Sequence, residues 1–214
     1  MKKAKRTKRL LAGLLALLLA VTGVPLSGME VQAEDGVLTE GDYRYEVNKD
    51  GNSVTITGYN GSGGDVTIPD TIDGKNETAI GNSVFSNCTA LTGLTISGKV
   101  VYIGEYAFSG CTNLANLSLP YSITTINDKA FYGCTNLANF TIPEGITSIG
   151  ESAFEGCTRL TSITIPDSAT SIFSNTFKNC SSLESIKVTE GNAVYDSRNN
   201  CNEIIQTGNN TLIS

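Results

Sequence analysis

The chain has 214 residues, with 15 Lys and Arg against 21 Asp and Glu, no His and no Trp. Ser-His-Asp and Cys-His catalysis and His-ligated metal are excluded, because each requires an imidazole. Six basic residues and one acid, Glu30, precede residue 34, which leaves 9 basic and 20 acidic residues beyond it and a net charge of −11 in place of −6. Nucleic acid is thereby excluded as a partner, since tracking phosphates needs clustered Lys and Arg.

Residues 1–9 are basic, and Leu10 to Val24 is an apolar run interrupted only by Gly13, Thr22 and Gly23. Val31-Gln32-Ala33 then places small residues at the −3 and −1 positions of a cleavage site, so residues 1–33 read as a secretory signal peptide cut after Ala33. The run is about 15 residues, short of the roughly 20 that span a bilayer. No later apolar stretch approaches that length, so an exported, soluble product with no transmembrane segment after cleavage is expected.

Residues 34–64 read as an N-terminal cap. Tyr43 to Val47 and Ser53 to Tyr59 alternate in strand fashion around Asn48-Lys49-Asp50-Gly51, which predicts a β-hairpin. Gly58 to Gly64 follows as a glycine-rich link, and no P-loop Lys stands after it to support phosphate binding.

Residues 65–188 are a repeat array. Cys88, Cys111, Cys134, Cys157 and Cys180 fall at a constant spacing of 23 residues. A Phe stands three before each (Phe85, Phe108, Phe131, Phe154, Phe177) and a Leu three after (Leu91, Leu114, Leu137, Leu160, Leu183). Apolar columns six and eight after the Cys complete a Leu-x-x-Leu-x-Leu strand, and Ile80, Ile103, Ile126, Ile149 and Ile172 form another inward column. Pro69, Pro120, Pro143 and Pro166 end strands, because a missing N–H ends a ladder. The position before each Cys holds only Asn or Gly, which predicts a left-handed residue closing a short helical turn. The first repeat carries five extra residues near Ile72 to Thr78, read as a loop bulge. The fold class expected is thus α/β: a right-handed leucine-rich-repeat solenoid of 23-residue repeats, with one short parallel strand each and a hairpin cap.

Three sets of residues bear on chemistry. The cysteine ladder reads as buried, reduced thiols, because stacked neighbours about 4.8 Å apart with parallel side chains do not meet disulfide geometry. Cys201 is out of register and is the candidate for an exposed thiol. The acidic column Glu105, Asp128 and Glu151 reads as caps for the first N–H groups of each short turn, with a glycan-active or Ca²⁺ site as the alternative. The third set is the solvent side of the strand ladder: Gly93, Asn116, Asn139, Ser162 and Ser185 in one column, Thr95, Ser118, Thr141, Thr164 and Lys187 in the next. In repeat solenoids the concave face is the common partner surface. These ten residues are the candidate partner-binding set.

The unit Ile142-Pro143-Glu144-Gly145-Ile146-Thr147-Ser148-Ile149-Gly150-Glu151-Ser152-Ala153-Phe154-Glu155-Gly156-Cys157-Thr158-Arg159-Leu160-Thr161-Ser162-Ile163-Thr164 resembles the BspA-like leucine-rich repeat of bacterial surface proteins, and the likeness covers about residues 65 to 188. Val194 to Asn202 resembles an irregular unit that interrupts such arrays, so residues 189–214 read as an irregular repeat or cap. The resemblance implies exported or surface-displayed binding proteins, often called adhesins, without a shared catalytic set. A non-catalytic binding module is therefore expected at the cell exterior, with no catalytic residue, metal or cofactor and with a protein or glycan ligand. A structural spacer is the other alternative.

Overall fold

The computed structural model describes residues 37–197, 204–207 and 211–212. The signal peptide expected at 1–33 and Cys201 lie outside them. Strands β1 (Leu38–Glu40), β2 (Tyr43–Val47) and β3 (Ser53–Tyr59) form an antiparallel meander. The β2–β3 turn is closed by Gly51 at φ 70° and by Asp50, whose Oδ1 accepts the N–H groups of Asn52 (2.9 Å) and Ser53 (3.0 Å). Hydrogen bonds from the Asn52 backbone and the Ser53 side chain hold the Asp50 carboxyl below the usual carboxylate range.

The hairpin does more than cover the end of the stack. Next come β4 (Gly64–Thr67), β5 (Thr71–Ile72) and β6 (Lys75–Ile80), and β3 pairs in parallel with β6, setting Ile56 opposite Ile80. Gly81 N–H donates to Ile56 O at 2.9 Å, just as Gly104 N–H donates to Ile80 O at 2.8 Å. The cap therefore repeats the bonding of a regular coil. The five-residue insertion is a second hairpin and not a loop bulge: β5 and β6 are antiparallel around Asp73 (φ 51°) and Gly74 (φ 67°), the paired positive φ values of a tight two-residue turn.

Two ladders run through the array where one was expected. Its strands are β7 (Leu91–Thr95), β8 (Tyr102–Ile103), β9 (Asn116–Ser118), β10 (Thr125–Ile126), β11 (Ser148–Ile149), β12 (Ser162–Ile165), β13 (Ser171–Ile172) and β14 (Ser185–Val188). The first ladder runs through β4, β7 and β9, a single bridge between Asn139 and Ser162, then β12 and β14. The second joins β6 to β8 and β10 to β11 to β13. Partners are 23 residues apart, as in Leu94 with Leu117 and Ile165 with Val188, except that Val66 meets Leu94 across the insertion. The first ladder narrows to one bridge in the coil containing Phe140, whose ring packs at 5.6 Å from Phe131 and 5.1 Å from Phe154.

The third side of each coil corrects the α/β reading, because no helix forms among the described residues. Two residues per coil lie in the left-handed region. One is the residue before Cys (Asn87, Gly110, Gly133, Gly156, Asn179), as expected. The other is four residues earlier, at Ser83, Tyr106, Lys129, Ser152 and Asn175, with φ between 53° and 59°. Alternate N–H groups then point to the next coil instead of closing a helical turn: Phe108 donates to Ala130 O, Phe131 to Ala153 O and Phe154 to Thr176 O, each at 2.9 Å. Gly150 is needed for close approach, since a Cβ there would lie 2.6 Å from Asp128 N.

Inside, the five phenylalanines stack along the axis with ring centroids 5.3, 5.5, 5.4 and 5.6 Å apart. The rings follow the coil spacing, which backbone bonds of 2.9 Å fix on this side as in the ladders. Past β14, β15 (Tyr195–Asp196), β16 (Ile205–Gln206) and β17 (Thr211–Leu212) form an antiparallel sheet. Tyr195 closes the second ladder: its Oη accepts Ile172 N–H at 2.9 Å, where a further coil would place a carbonyl.

Candidate binding face

The register of the first ladder assembles the predicted strip. Asp65, Gly93 and Asn116 lie side by side, as do Asn139, Ser162 and Ser185. In the neighbouring column Thr67, Thr95 and Ser118 adjoin, Thr164 adjoins Lys187, and Thr141 occupies the corresponding position of the coil between. Eight of the ten predicted residues are exposed; Ser185 is half-buried and Gly93 is buried. Asp65 and Thr67 belong to the strip but escaped the 23-residue register, because the insertion sets them 28 residues before Gly93 and Thr95. The signal that would have found them is Val66-x-Ile68, which matches the inward pair of the later strands.

At its N-terminal end the strip sinks into a depression of about 430 Å³ over β4, β7 and β9. Gly93 makes room there for the Asp65 side chain. The Asp65 carboxylate leans across that glycine, accepting the Thr92 hydroxyl at 2.7 Å, and a Cβ on Gly93 would stand 2.5 Å from Asp65 Oδ1. The strip carries no aromatic ring; the exposed tyrosines Tyr102, Tyr106, Tyr121 and Tyr132 lie outside it.

Other polar columns are occupied in holding coils together. Thr135 and Thr158 hydroxyls donate to Thr112 O and Thr135 O, Asn136 Nδ2 donates to Asn113 Oδ1, and Thr147 and Thr170 hydroxyls donate to Thr124 O and Thr147 O. On the outer surface Lys129 Nζ sits 3.0 Å from Tyr106 Oη and 5.1 Å from its ring centroid, and that hydrogen bond raises the lysine's pKa. Among the described residues, the Asn116 and Asn139 amides and the strip's Ser and Thr hydroxyls make no such bonds.

The acidic column is also structural, but not as expected. Two side chains of the column serve the next coil and not their own turn: Asn82 Oδ1 accepts Glu105 N–H at 3.0 Å and Asp128 Oδ1 accepts Glu151 N–H at 2.8 Å. Among the described residues no group of three or more Cys, Asp or Glu could hold a metal ion. Asp128→Ala should therefore cost about 1 kcal/mol, the usual worth of such a bond, whereas Glu151→Ala should stay within about 0.5 kcal/mol. Urea unfolding of the two variants checks this; equal losses would return the capping duty to Glu151.

The cysteine ladder contains free thiols, with Cys111, Cys134, Cys157 and Cys180 buried and Cys88 partly so. They are more than apolar fillers. Each buried Sγ donates to the phenylalanine carbonyl of the preceding coil, Cys111 to Phe85 O (3.0 Å), Cys134 to Phe108 O (3.2 Å), Cys157 to Phe131 O (3.3 Å) and Cys180 to Phe154 O (3.1 Å). Burial pushes the thiols up, to about 12 at Cys111 and about 11 at Cys180, and upward at Cys134 and Cys157.

A stack of coils with one open, polar strand face is a leucine-rich-repeat solenoid. The model of the BspA type leucine rich repeat region matches residues 78–204 in six copies, and the chain belongs to that family. The T. pallidum leucine rich repeat protein is 32% identical, with a TM-score of 0.67 over 69% of this chain and 70% of that one. A leucine-rich repeat protein from Bacteroides ovatus is 31% identical, with a TM-score of 0.65 over 69% of this chain and 40% of that one. A leucine rich cell surface protein from Faecalibacterium prausnitzii is 26% identical, with a TM-score of 0.56 over 86% of this chain and 62% of that one. The chain spans less than two thirds of the last two. A search of curated proteins finds no match.

Proposed function

We propose that this chain is an exported, surface-displayed binding module that holds a protein or glycan ligand on the strip from Gly93 to Lys187 and performs no catalysis. The observation that carries this is the contrast between polar columns: those elsewhere are engaged in bonds between coils, and the strip's amides and hydroxyls are not. The basic and apolar start of the sequence and the likeness to a cell surface protein support the location. Among the described residues no helix is long and apolar enough to cross a membrane. Within this reading residues 34–64 and 189–214 are caps on a solenoid of residues 65–188. Its coils wind to the right, as about 98% of parallel crossovers do.

Replacing Asn116, Asn139 and Ser162 together with Lys should leave the fold intact, since exposed changes cost within about 0.5 kcal/mol each. It should abolish attachment to the ligand found by screening the full chain against matrix proteins and glycans, because it places unpaired charge in the contact. Attachment that survives the triple change but is lost on deleting residues 189–214 or the hairpin 43–59 would move the activity to the caps.

A further inference from the structure

The strip is electrically uneven along its length. Its two columns, including Asp65 and Thr67, contain one anion and one cation, and these stand at opposite ends: Asp65 on the first rung, Lys187 on the last. Every position between is Gly, Asn, Ser or Thr. Neither charge is neutralised by the protein, since among the described residues neither Asp65 nor Lys187 takes part in a salt bridge, and the neighbouring Glu184 is not paired with Lys187. Five rung spacings of about 4.8 Å separate the ends by about 24 Å, which an extended peptide covers in about seven residues.

We infer, resting on the proposed binding role of this face, that the strip takes an extended peptide segment of about seven residues with a cationic group over Asp65 and an anionic group over Lys187. The chemistry of the middle favours a peptide over a sugar chain. No aromatic ring faces the strip, so a sugar ring has no stacking platform. The amides of Asn116 and Asn139 and the hydroxyls of Ser118 and Thr141 each supply both donor and acceptor, which is what peptide N–H and C=O groups need on leaving water. At the Asp65 end the depression over β4, β7 and β9 gives a long cationic side chain room to lie beside the carboxylate.

The test uses the full chain and fluorescein-labelled seven-residue peptides blocked at both ends, with Ser and Asn inside and Lys or Glu at the termini, read by anisotropy. The unmodified protein should prefer the Lys/Glu peptide. Asp65→Lys should weaken that peptide about fivefold to tenfold and prefer the peptide with Glu at both ends, while Lys187→Glu should prefer the one with Lys at both ends. The protein carrying both changes should bind the Lys/Glu peptide again, in the opposite direction. Weakening without these changes of preference would overturn the inference, as would failure of every peptide to bind at millimolar concentration. If all peptides bind alike but the Asn116, Asn139 and Ser162 triple change abolishes them, the face is the binding face and charge does not select its ligand. If the triple change leaves both the peptides and the screened ligand attached, the proposed binding role itself falls.

Discussion

Truncating Phe131 to alanine should cost about 3–5 kcal/mol of folding stability, the range for emptying a large buried aromatic site. The ring is fully buried between Phe108 at 5.5 Å and Phe154 at 5.4 Å, with Phe140 tilted against it at 5.6 Å, so three neighbouring rings lose packing at once. The hole cannot collapse easily. The Phe131 N–H is held by Ala153 O and its carbonyl by the Cys157 thiol, which pins the backbone on both sides. In a stack where each coil touches only its neighbours, a defect in the middle also separates the coils before it from those after it. Phe177 has one stacking neighbour, Phe154, and Phe177→Ala should lose about half as much. Urea unfolding followed by both circular dichroism and tyrosine fluorescence is the measurement. Equal losses at the two positions would show that the column is a row of independent pockets.

Stability should also collapse on the alkaline side, beginning near pH 9. The four buried thiols have folded pKa values raised by burial, to about 11 at Cys180 and about 12 at Cys111, and upward at Cys134 and Cys157. An unfolded cysteine titrates near 8.5. Between those limits the unfolded chain has lost protons that the folded chain keeps, so the stabilisation is complete below about pH 8.5 and is lost as pH rises. Each thiol removes about 1.4 kcal/mol per pH unit, and four together remove about 5.6 kcal/mol per pH unit, so one unit takes an amount comparable to the stability of a small domain. The chain should therefore unfold near pH 10, with thiolate absorbance appearing together with loss of structure. Cys134→Ala should make the fall shallower by about a quarter. A urea midpoint unchanged between about pH 8 and pH 10 would contradict this account.

The columns that were legible in the sequence are those in which one physical demand recurs with one residue type. Leu, Ile and Phe at a 23-residue interval announce burial, and the Asn/Gly position before each Cys announces positive φ, as found. The second left-handed column was not legible. Ser83, Tyr106, Lys129, Ser152 and Asn175 share no propensity for that conformation, and the hydrogen bonds to the next coil impose it on whatever side chain stands there. The second ladder was hidden for another reason: two-residue strands are too short for alternation to appear. The acidic column showed its polarity but not its direction, because Asp128 reaches its acceptor role only through a coil 23 residues away. The same dependence on stacking concealed Asp65 and Thr67, whose place in the strip follows from pairing across an insertion.

On all three sides of the circuit the hydrogen bonds point along the axis, and this makes the molecule anisotropic under load. A tension applied between its two ends acts on one coil interface at a time, like a zip opened from its end, whereas a sideways load is shared among many bonds. Each coil is about 5 Å thick, yet its 23 residues reach about 75 Å when drawn straight. Opening one terminal coil thus lengthens the chain by roughly 70 Å while the coils behind it keep their packing. A ligand seated on the middle rungs would remain attached while the ends extend, and the chain would absorb a jolt as slack before the contact felt it.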